Sequence, residues 1–248
     1  MRIREYSTQS NGTYGYPRIH AELVAQGVCI GKHRVARLMR DNGLKALQKR
    51  RYKRTTDSHH HQAVAPNILS QDFSCDAPNR KWGADISYIW TTQGWLYLAI
   101  ILDLYSRRIV GWATSDRLKK DLASTALTRA LTMRKIQPGL IHHSDRGSQY
   151  CSYEYRQQPG KHTIVASMSS TGNCCDNAMV ETVFKTIKNE LLWRIRPQSR
   201  QQTTVQIGRY IDGFYNPKRR HSALGYKSPI QFEAYMALQR ESLSTFSG

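Results

Sequence analysis

The sequence predicts an α/β protein, with a mixed sheet core flanked by helices and preceded by a small N-terminal helical module. Two strand-like segments, residues 82–91 and 95–103, are joined by a short turn and form a hairpin. Strand and helix patterns follow that hairpin, as in an α/β sheet domain. Before residue 54 the apolar residues recur with helical spacing instead. The 248 residues, 40% of them hydrophobic, suffice for one large domain or two modest ones.

The N-terminal module, residues 1–54, is predicted to contain two short helices around a tight turn. The first helix covers residues 18–26, with Pro17 suited to a first helical turn, and the second covers residues 32–42. Such a pair is the outline of a helix-turn-helix. Residues 55–77 have no periodicity and are predicted to be a polar linker. Their three consecutive histidines lack partner ligands at zinc spacing, so a linker is favoured over a metal site.

The core, residues 78–195, continues beyond the hairpin with alternating elements. A third strand is predicted at residues 108–114, a helix at 121–135, and short strands at 140–143 and 164–167. After a loop at 169–173, Asp176 or Asn177 is expected to cap a helix that ends near residue 193. The C-terminal extension, residues 196–248, adds helices at 203–214 and 230–241 with a basic, turn-rich stretch between them.

Positive charge is concentrated at the two ends of the chain. Residues 1–70 hold 13 Lys and Arg against 4 Asp and Glu, residues 71–181 hold 13 against 10, and residues 182–248 hold 11 against 4. The total of +19 favours nucleic acid as the partner, because basic residues displace counterions from phosphates. The candidate DNA contacts are the basic residues of the second helix, of the run after it, of the helix near residue 185 and of the C-terminal stretch: Lys32, Arg37, Arg40, Arg50, Arg51, Lys185, Lys188, Lys218, Arg219 and Arg220. An ordinary solvated basic face explains the helix pattern at residues 32–42 equally well.

Other classes of function are less well supported. The chain has no phosphate-binding GxxxxGK[ST] loop and no GxSxG motif. Five cysteines without a CxxC pair argue against a disulfide framework. The N-terminus has no apolar signal core and no apolar run approaches membrane-spanning length, which predicts a cytoplasmic, nucleic-acid-associated protein without a membrane partner.

Three acidic residues, Asp85, Asp145 and Glu181, are the candidate catalytic and metal-ligating set. Carboxylates are the ligands that Mg²⁺ and Mn²⁺ prefer, and two such ions activate the attacking and leaving oxygens in phosphodiester chemistry. Asp85 lies within an apolar strand, where an unpaired acid is costly, so a structural role explains it poorly. Asp145 is also suited to a turn, and Glu181 to a surface pair with Lys185.

A fourth acid, Asp103, ends the second strand. We expect it to be structural and to pair with Arg107 or Arg108.

Four segments resemble the core of insertion-sequence transposases of the retroviral-integrase type, the OrfB class. They are Trp82-Gly-Ala-Asp-Ile-Ser-Tyr-Ile, Leu102-Asp-Leu-Tyr-Ser-Arg, His143-Ser-Asp-Arg-Gly-Ser-Gln-Tyr and Gly172-Asn-Cys-Cys-Asp-Asn-Ala-Met-Val-Glu. Residues 216–229 resemble the C-terminal signature of that class, and Tyr14-Gly-Tyr-Pro-Arg-Ile-His resembles the start of its helical DNA-binding segment. The resemblance covers roughly residues 12–235.

The resemblance implies a ribonuclease H-like fold and a DDE triad of Asp85, Asp145 and Glu181. It implies Mg²⁺-dependent (or Mn²⁺-dependent) DNA end cleavage and strand transfer, without a covalent protein–DNA intermediate. The implied partners are the terminal inverted repeats of an element, target DNA and further copies of the chain on that DNA. Basic residues follow the catalytic glutamate of the family, which supports DNA contacts at Lys185 and Lys188.

The full transposase of this class commonly carries a further N-terminal helix-turn-helix and a coiled coil, joined by frameshifting. This chain begins just before its Tyr14 segment, so it is either the downstream frame alone, with an upstream-frame partner protein, or a truncated copy. We therefore predict a transposase catalytic subunit. The alternatives are a non-catalytic DNA-binding remnant or regulator of an insertion element, and a nuclease that never joins ends.

Overall fold

In the computed structural model, which describes residues 2–46, 65–151, 155, 164–170, 174–196 and 198–245, three helices precede a sheet domain. The helices are α1 (Arg2–Gln9), α2 (Tyr16–Ala25) and α3 (Lys32–Asp41). Both predicted helices of the module are confirmed, and α1 was not predicted. Ile19 on α2 and Val35 on α3 are fully buried, because each lies on the apolar face of its helix.

All five predicted strands are present: β1 (Lys81–Thr91), β2 (Gly94–Asp103), β3 (Arg108–Ser115), β4 (Ile141–Ser144) and β5 (Val165–Met168). They form one mixed sheet in the order β3-β2-β1-β4-β5. The strands β1, β2 and β3 pair antiparallel, whereas β4 pairs parallel with both β1 and β5. The predicted α/β fold class, with its mixed sheet, is therefore confirmed.

Helices cover both faces of the sheet. On β2, Leu98 and Ile100 point into one hydrophobic cluster, whereas Ala99 and Ile101 point into another, as side chains alternate along a strand. The first cluster is covered by α6 (Ala178–Ile187) and α7 (Arg200–Tyr210), and the second by α4 (Lys120–Met133). A short helix, α5 (Ser148–Cys151), follows β4, and α8 (Pro229–Thr245) ends the described chain.

Two of the helices continue into π-helical turns. Lys188–Leu192 follows α6, and Ile211–Tyr215 follows α7. A π turn widens the helix by one residue, so it rotates the side chains that come after it. The predicted helices ending near residues 193 and 214 are therefore confirmed in extent but not in regularity.

The predicted helix cap at Asp176 or Asn177 is wrong. Asn177 precedes α6 but makes no side-chain cap, and its Nδ2 instead donates to the carbonyl oxygen of Ala84 at 3.1 Å. The Asp176 carboxylate accepts hydrogen bonds from the side chains of Asn67 and Gln71 and from the backbone N–H of Ser170. Tertiary partners thus take the two side chains that local sequence assigns to capping.

Part of the predicted linker packs against the sheet domain. Leu69 is only 2% exposed, and the backbone N–H groups of Ile68 and Leu69 both donate to Ser167 Oγ. Residues 65–77 therefore do not form a free tether, whereas residues 55–64 lie outside the described chain. The C-terminal extension is not separate either, because Ile207 and Tyr215 lie in the same hydrophobic cluster as β2.

The N-terminal module contacts the end of α7 and the residues that follow it. The rings of Tyr14 and Phe214 lie 6.2 Å apart, and the Arg220 guanidinium forms a 2.8 Å ion pair with Glu22 of α2. Within the described parts of the chain, no helix is long and apolar enough to cross a bilayer.

Candidate active site

Two of the three predicted acids lie at the same level of neighbouring strands. The parallel strands β1 and β4 pair through Ala84 and Ser144, and that pair is the last of their register. Asp85, the next residue of β1, and Asp145, the first residue after β4, follow that pair. Their carboxylates therefore lie where β1 and β4 stop pairing, at the C-terminal end of β4.

Glu181 reaches the same region because α6 lies directly over β1. Gly83 is the contact point: a Cβ atom added there would lie 2.6 Å from Val180 Cγ2 and 3.2 Å from Leu104 Cδ2. Glycine thus allows the close approach of the helix. Asn177 ties the start of α6 to the carbonyl of Ala84, next to Asp85.

The pKa of Asp85 is strongly shifted by its surroundings. Burial, together with the charges of Asp145 and Glu181, raises the pKa of the Asp85 carboxyl well above its ordinary value of 3.8. A hydrogen bond from the backbone N–H of Ile86 to Oδ1, at 2.7 Å, and the Lys188 ammonium act in the opposite direction on this pKa. Three acids that share one partly buried region repel one another unless a cation or a proton compensates their charge.

Glu181 forms an ion pair in this structure. Its Oε2 lies 3.3 Å from Lys185 Nζ, one turn further along α6. Among the described residues, no three His, Cys, Asp or Glu side chains are grouped closely enough to hold one metal ion. Asp85, Asp145 and Glu181 thus lie in one region of the molecule, but the Glu181 carboxylate pairs with Lys185 instead of joining the two aspartates.

Asp145 is held by a tight turn. The backbone N–H of Gly147 donates to Asp145 Oδ1 at 3.0 Å, and the Arg146 side chain donates through Nε to the carbonyl of Ser169 at 2.7 Å. Two residues before Asp145, the buried His143 ring lies between Ser167 Oγ and Ser169 Oγ, at 2.9 and 3.1 Å. Burial lowers the pKa of His143 to about 4, so this ring is neutral near pH 7.

The predicted DNA contacts differ in accessibility. Lys32, Arg37 and Arg40 are all exposed on α3, and Lys218 is exposed near the C-terminal stretch. Lys185 is exposed beside Glu181, whereas Lys188 is half-buried near Asp85. Arg50 and Arg51 lie outside the described residues.

Arg219, a predicted DNA contact, is not accessible in this structure. Its guanidinium is buried and binds the Glu190 carboxylate through two hydrogen bonds of 2.6 and 2.7 Å. Arg220 is also engaged, with Glu22 and with the carbonyl of Tyr226. A basic run in sequence does not distinguish an accessible charge from one that is paired inside the fold.

Asp103 is structural, as expected, but its partner was predicted wrongly. It is fully buried and pairs with Arg134 at 3.1 Å rather than with Arg107 or Arg108. Arg108 instead pairs with Glu233 of α8 at 2.8 Å.

Asn177, Asp176, His143 and Tyr150 are site neighbours that sequence reasoning did not assign to the site. The first two lay in a recognised motif, but their polar side chains were attributed to capping. His143 and Tyr150 lie on either side of Asp145 in the His143–Tyr150 segment, and their closeness in sequence was the available signal.

Comparison with known families identifies the two parts of the chain. Two models of the integrase core domain match residues 76–174 and 162–229, and a model of an HTH-like domain matches residues 1–52. The fold and the matched models thus define an integrase core domain attached to a helix-turn-helix-like module.

Two relatives extend the match along the chain. The chain is 42% identical to transposase InsF for insertion sequence IS3A of Escherichia coli (strain K12), over 91% of this chain and 78% of that protein. It is 44% identical to the insertion element IS600 uncharacterized 31 kDa protein of Shigella sonnei, over 94% of this chain and 85% of that protein. The chain therefore belongs to the family of insertion-sequence transposases that includes InsF. Its function is that of a DNA transposase, and the family implies polynucleotidyl transferase activity.

The fold is also similar to a solved viral assembly. The chain is 14% identical to a chain of the simian T-cell lymphotropic virus intasome in complex with PP2A regulatory subunit B56 gamma, with a TM-score of 0.53 over 94% of this chain and 74% of the other. At this identity the similarity concerns the fold alone.

Proposed function

We propose that this chain is the catalytic subunit of its transposase and that Asp85, Asp145 and Glu181 are its catalytic, metal-binding residues. The observation that carries the proposal is the register of Asp85 and Asp145 beyond the Ala84–Ser144 pair, with the helix of Glu181 packed over the same strand. Family membership supports the class of reaction, and this arrangement supports its location at the three acids.

The donor set fits Mg²⁺ or Mn²⁺. All three side chains offer carboxylate oxygens, which are the ligands that these ions prefer. Burial and the charges of Asp145 and Glu181 raise the pKa of Asp85, and a cation bound beside this carboxylate would relieve that repulsion. When bound, divalent ions stabilise both the attacking and the leaving oxygen at a phosphodiester. Glu181 would exchange Lys185 for the ion.

The proposed chemistry is two successive displacements at phosphorus. In the first, water attacks the phosphodiester at the end of the element, the P–O3′ bond breaks, and a free 3′-hydroxyl and a 5′-phosphate result. In the second, that 3′-hydroxyl attacks a phosphodiester of target DNA and displaces its 3′-oxygen. No side chain of the protein becomes covalently linked to DNA in either step.

The remaining parts of the chain would hold DNA for these steps. The exposed basic residues of α3 suit phosphate contacts. Lys185 on α6 and Lys188 at the start of the π turn after it extend away from Glu181. Several copies of the chain would assemble on two element ends and target DNA, together with an upstream-frame protein where one is encoded. Lys218 is retained as a proposed contact, whereas Arg219 and Arg220 are not.

The test replaces each acid separately by its amide. Asp85→Asn, Asp145→Asn and Glu181→Gln should each abolish end cleavage and strand transfer on DNA that carries the element ends, while circular dichroism and DNA binding remain those of the wild type. Asp116→Asn is a matched control, because Asp116 is a surface acid whose side chain is 53% exposed. Activity within tenfold of wild type for any of the three variants removes that residue from the site. A wild-type chain that binds the ends and cleaves nothing supports the regulator instead.

A further inference from the structure

Tyr150 is buried against the turn that holds Asp145. It lies in α5 and is only 2% exposed. Its backbone N–H donates to the Gly147 carbonyl at 2.9 Å, and a Cβ atom on Gly147 would lie 3.6 Å from Tyr150 Cδ2. Since the Gly147 N–H in turn donates to Asp145 Oδ1, Tyr150 and the Asp145 carboxylate are both hydrogen-bonded to the same glycine.

The Tyr150 hydroxyl is a buried polar group with no hydrogen-bond partner among the residues that the structure describes. Buried hydroxyls are nearly always paired, because leaving one unpaired carries its full desolvation cost. The neighbouring Tyr155 shows the usual arrangement. Its ring packs edge-on against Tyr150 with centroids 5.3 Å apart, and its hydroxyl lies 2.6 Å from His142 Nε2.

The charges of two carboxylates of the proposed site act on this hydroxyl. Burial, then the neighbouring Tyr155, and then the charges of Asp145 and Asp85 raise the pKa of Tyr150 well above 10.0. The hydroxyl therefore stays protonated and remains a hydrogen-bond donor at every pH at which the protein is used. A carboxylate is the strongest acceptor that such a donor can find.

We propose that Tyr150 is a positioning residue of the carboxylate site, whose hydroxyl donates a hydrogen bond to Asp145 when that carboxylate turns to bind a divalent ion. The inference rests on the proposed function, because it needs Asp145 to be a ligand. It explains why a buried hydroxyl is kept without a partner at this position: its acceptor comes into place only with the metal. Groups that orient a metal ligand in this way typically contribute a factor of about 10–100 to metal affinity or activity.

With this role, the Tyr150 hydroxyl contributes to metal affinity but not to the stability of the metal-free protein. In the metal-free protein, Tyr150→Phe removes an unpaired hydroxyl and keeps the ring, so it should leave the melting temperature unchanged or raise it. The same variant should bind Mn²⁺ about tenfold more weakly than wild type, because Asp145 loses its orienting donor. If the hydroxyl only stabilised the fold, its removal would lower the melting temperature and leave the Mn²⁺ affinity unchanged.

The experiment is a titration of the full chain with Mn²⁺, followed by the electron paramagnetic resonance signal of the free ion, together with thermal unfolding in chelator. Tyr155→Phe is the matched control, because it removes a neighbouring buried hydroxyl that does have a partner. It should lower the melting temperature and leave Mn²⁺ affinity within twofold of wild type.

The outcomes distinguish this inference from the proposed function. If wild type binds Mn²⁺, Asp145→Asn does not and Tyr150→Phe binds as wild type does, the role of Tyr150 is overturned and the metal site stands. If Asp145→Asn also binds Mn²⁺ as wild type does, or if wild type binds no Mn²⁺, the proposed metal site and the role of Tyr150 are both overturned. A Tyr150→Phe protein that is less stable in chelator with unchanged affinity identifies a structural tyrosine.

Discussion

Asp85 and Asp145 each stand one residue beyond the last residue pair of two parallel strands, Ala84 of β1 and Ser144 of β4. Backbone hydrogen bonding thus fixes the spacing of two acids that are 60 positions apart in the chain. Neighbouring strands lie about 4.8 Å apart, so two like charges at one level repel each other unless a cation or a proton lies between them.

Asp85→Asn should make the metal-free protein more stable near neutral pH, although it abolishes the proposed activity. Because burial and the carboxylates of Asp145 and Glu181 raise the folded-state pKa of Asp85, its protonation stabilises the fold. That contribution is fully present below the unfolded pKa, near 3.8, and is lost as the pH rises through the folded pKa. Asparagine does not titrate, so the advantage of the variant should grow with pH, toward about 0.5–2 kcal/mol.

Urea unfolding in chelator at a series of pH values measures this difference. Excess Mg²⁺ should stabilise the wild type and not the variant, which reverses their order. An Asp85→Asn protein that is destabilised equally at all pH values would show that Asp85 is an ordinary structural acid.

Gly83→Ala should displace α6 and lower activity more than DNA binding. The new Cβ would lie 2.6 Å from Val180 Cγ2, and Val180 is only 1% exposed. A β-branched side chain in a helix has one strongly preferred rotamer, so the helix must move instead. Overpacking of this kind costs about 1–3 kcal/mol, which chemical denaturation measures.

Gly213→Ala is the control for Gly83→Ala, because no atom lies within 4 Å of the position of its Cβ. It should leave stability and activity unchanged or slightly improved. Equal stability of Gly83→Ala and wild type would contradict the close packing of α6 on β1.

Hydrophobic periodicity in the sequence predicted the five strands and most of the helices, because those patterns depend on which side chains are buried. The grouping of Asp85, Asp145 and Glu181 came instead from the segments around them and from their resemblance to the transposase class, and it stays a prediction. Periodicity did not predict the roles of Asp176, Asn177 and Arg219, since each side chain is used by a partner distant in sequence: Gln71, Ala84 and Glu190 respectively. Local patterns carry no information on such tertiary pairs. The π turn at Lys188–Leu192 likewise has no periodic signature.

Glu190→Gln should strongly destabilise the protein. Its carboxylate lies on the π turn after α6 and accepts hydrogen bonds from Arg219, from the Tyr210 hydroxyl and from Arg18 of α2. Removing one partner of a buried ion pair leaves the other charge uncompensated, which typically costs about 3–5 kcal/mol. Because Arg18 belongs to the N-terminal module, the variant should also loosen that module from the helix of Glu181.

Thermal and urea unfolding give the size of this effect. Asp116→Asn again serves as the control, since Asp116 and Arg200 are 3.9 Å apart and both accessible, and such pairs contribute about 0–1 kcal/mol. If Glu190→Gln costs no more than Asp116→Asn, the buried network does not hold the module.

Lys188→Gln and Lys185→Gln should differ in their effect on strand transfer, although the two lysines are only one turn apart. Lys188 is half-buried, and its charge acts directly on Asp85, so it lies where a scissile phosphate would approach the proposed site. Lys185 is 47% exposed and pairs with Glu181, and such an exposed pair contributes only about 0.3–0.5 kcal/mol. We expect Lys188→Gln to reduce strand transfer strongly and Lys185→Gln to reduce it less.

The salt dependence of DNA binding shows whether either lysine contacts a phosphate. Each contact that is lost should reduce the slope of log affinity against log salt by about 0.9. Lys135→Gln removes the same charge from an exposed position just after α4, on the other face of the sheet, and should leave the slope unchanged. A slope that falls equally for all three variants would mean that net charge alone is being measured. A slope that falls only for Lys188→Gln would place the DNA strand beside Asp85, because the Lys188 side chain cannot reach a phosphate elsewhere while its charge remains beside that carboxylate.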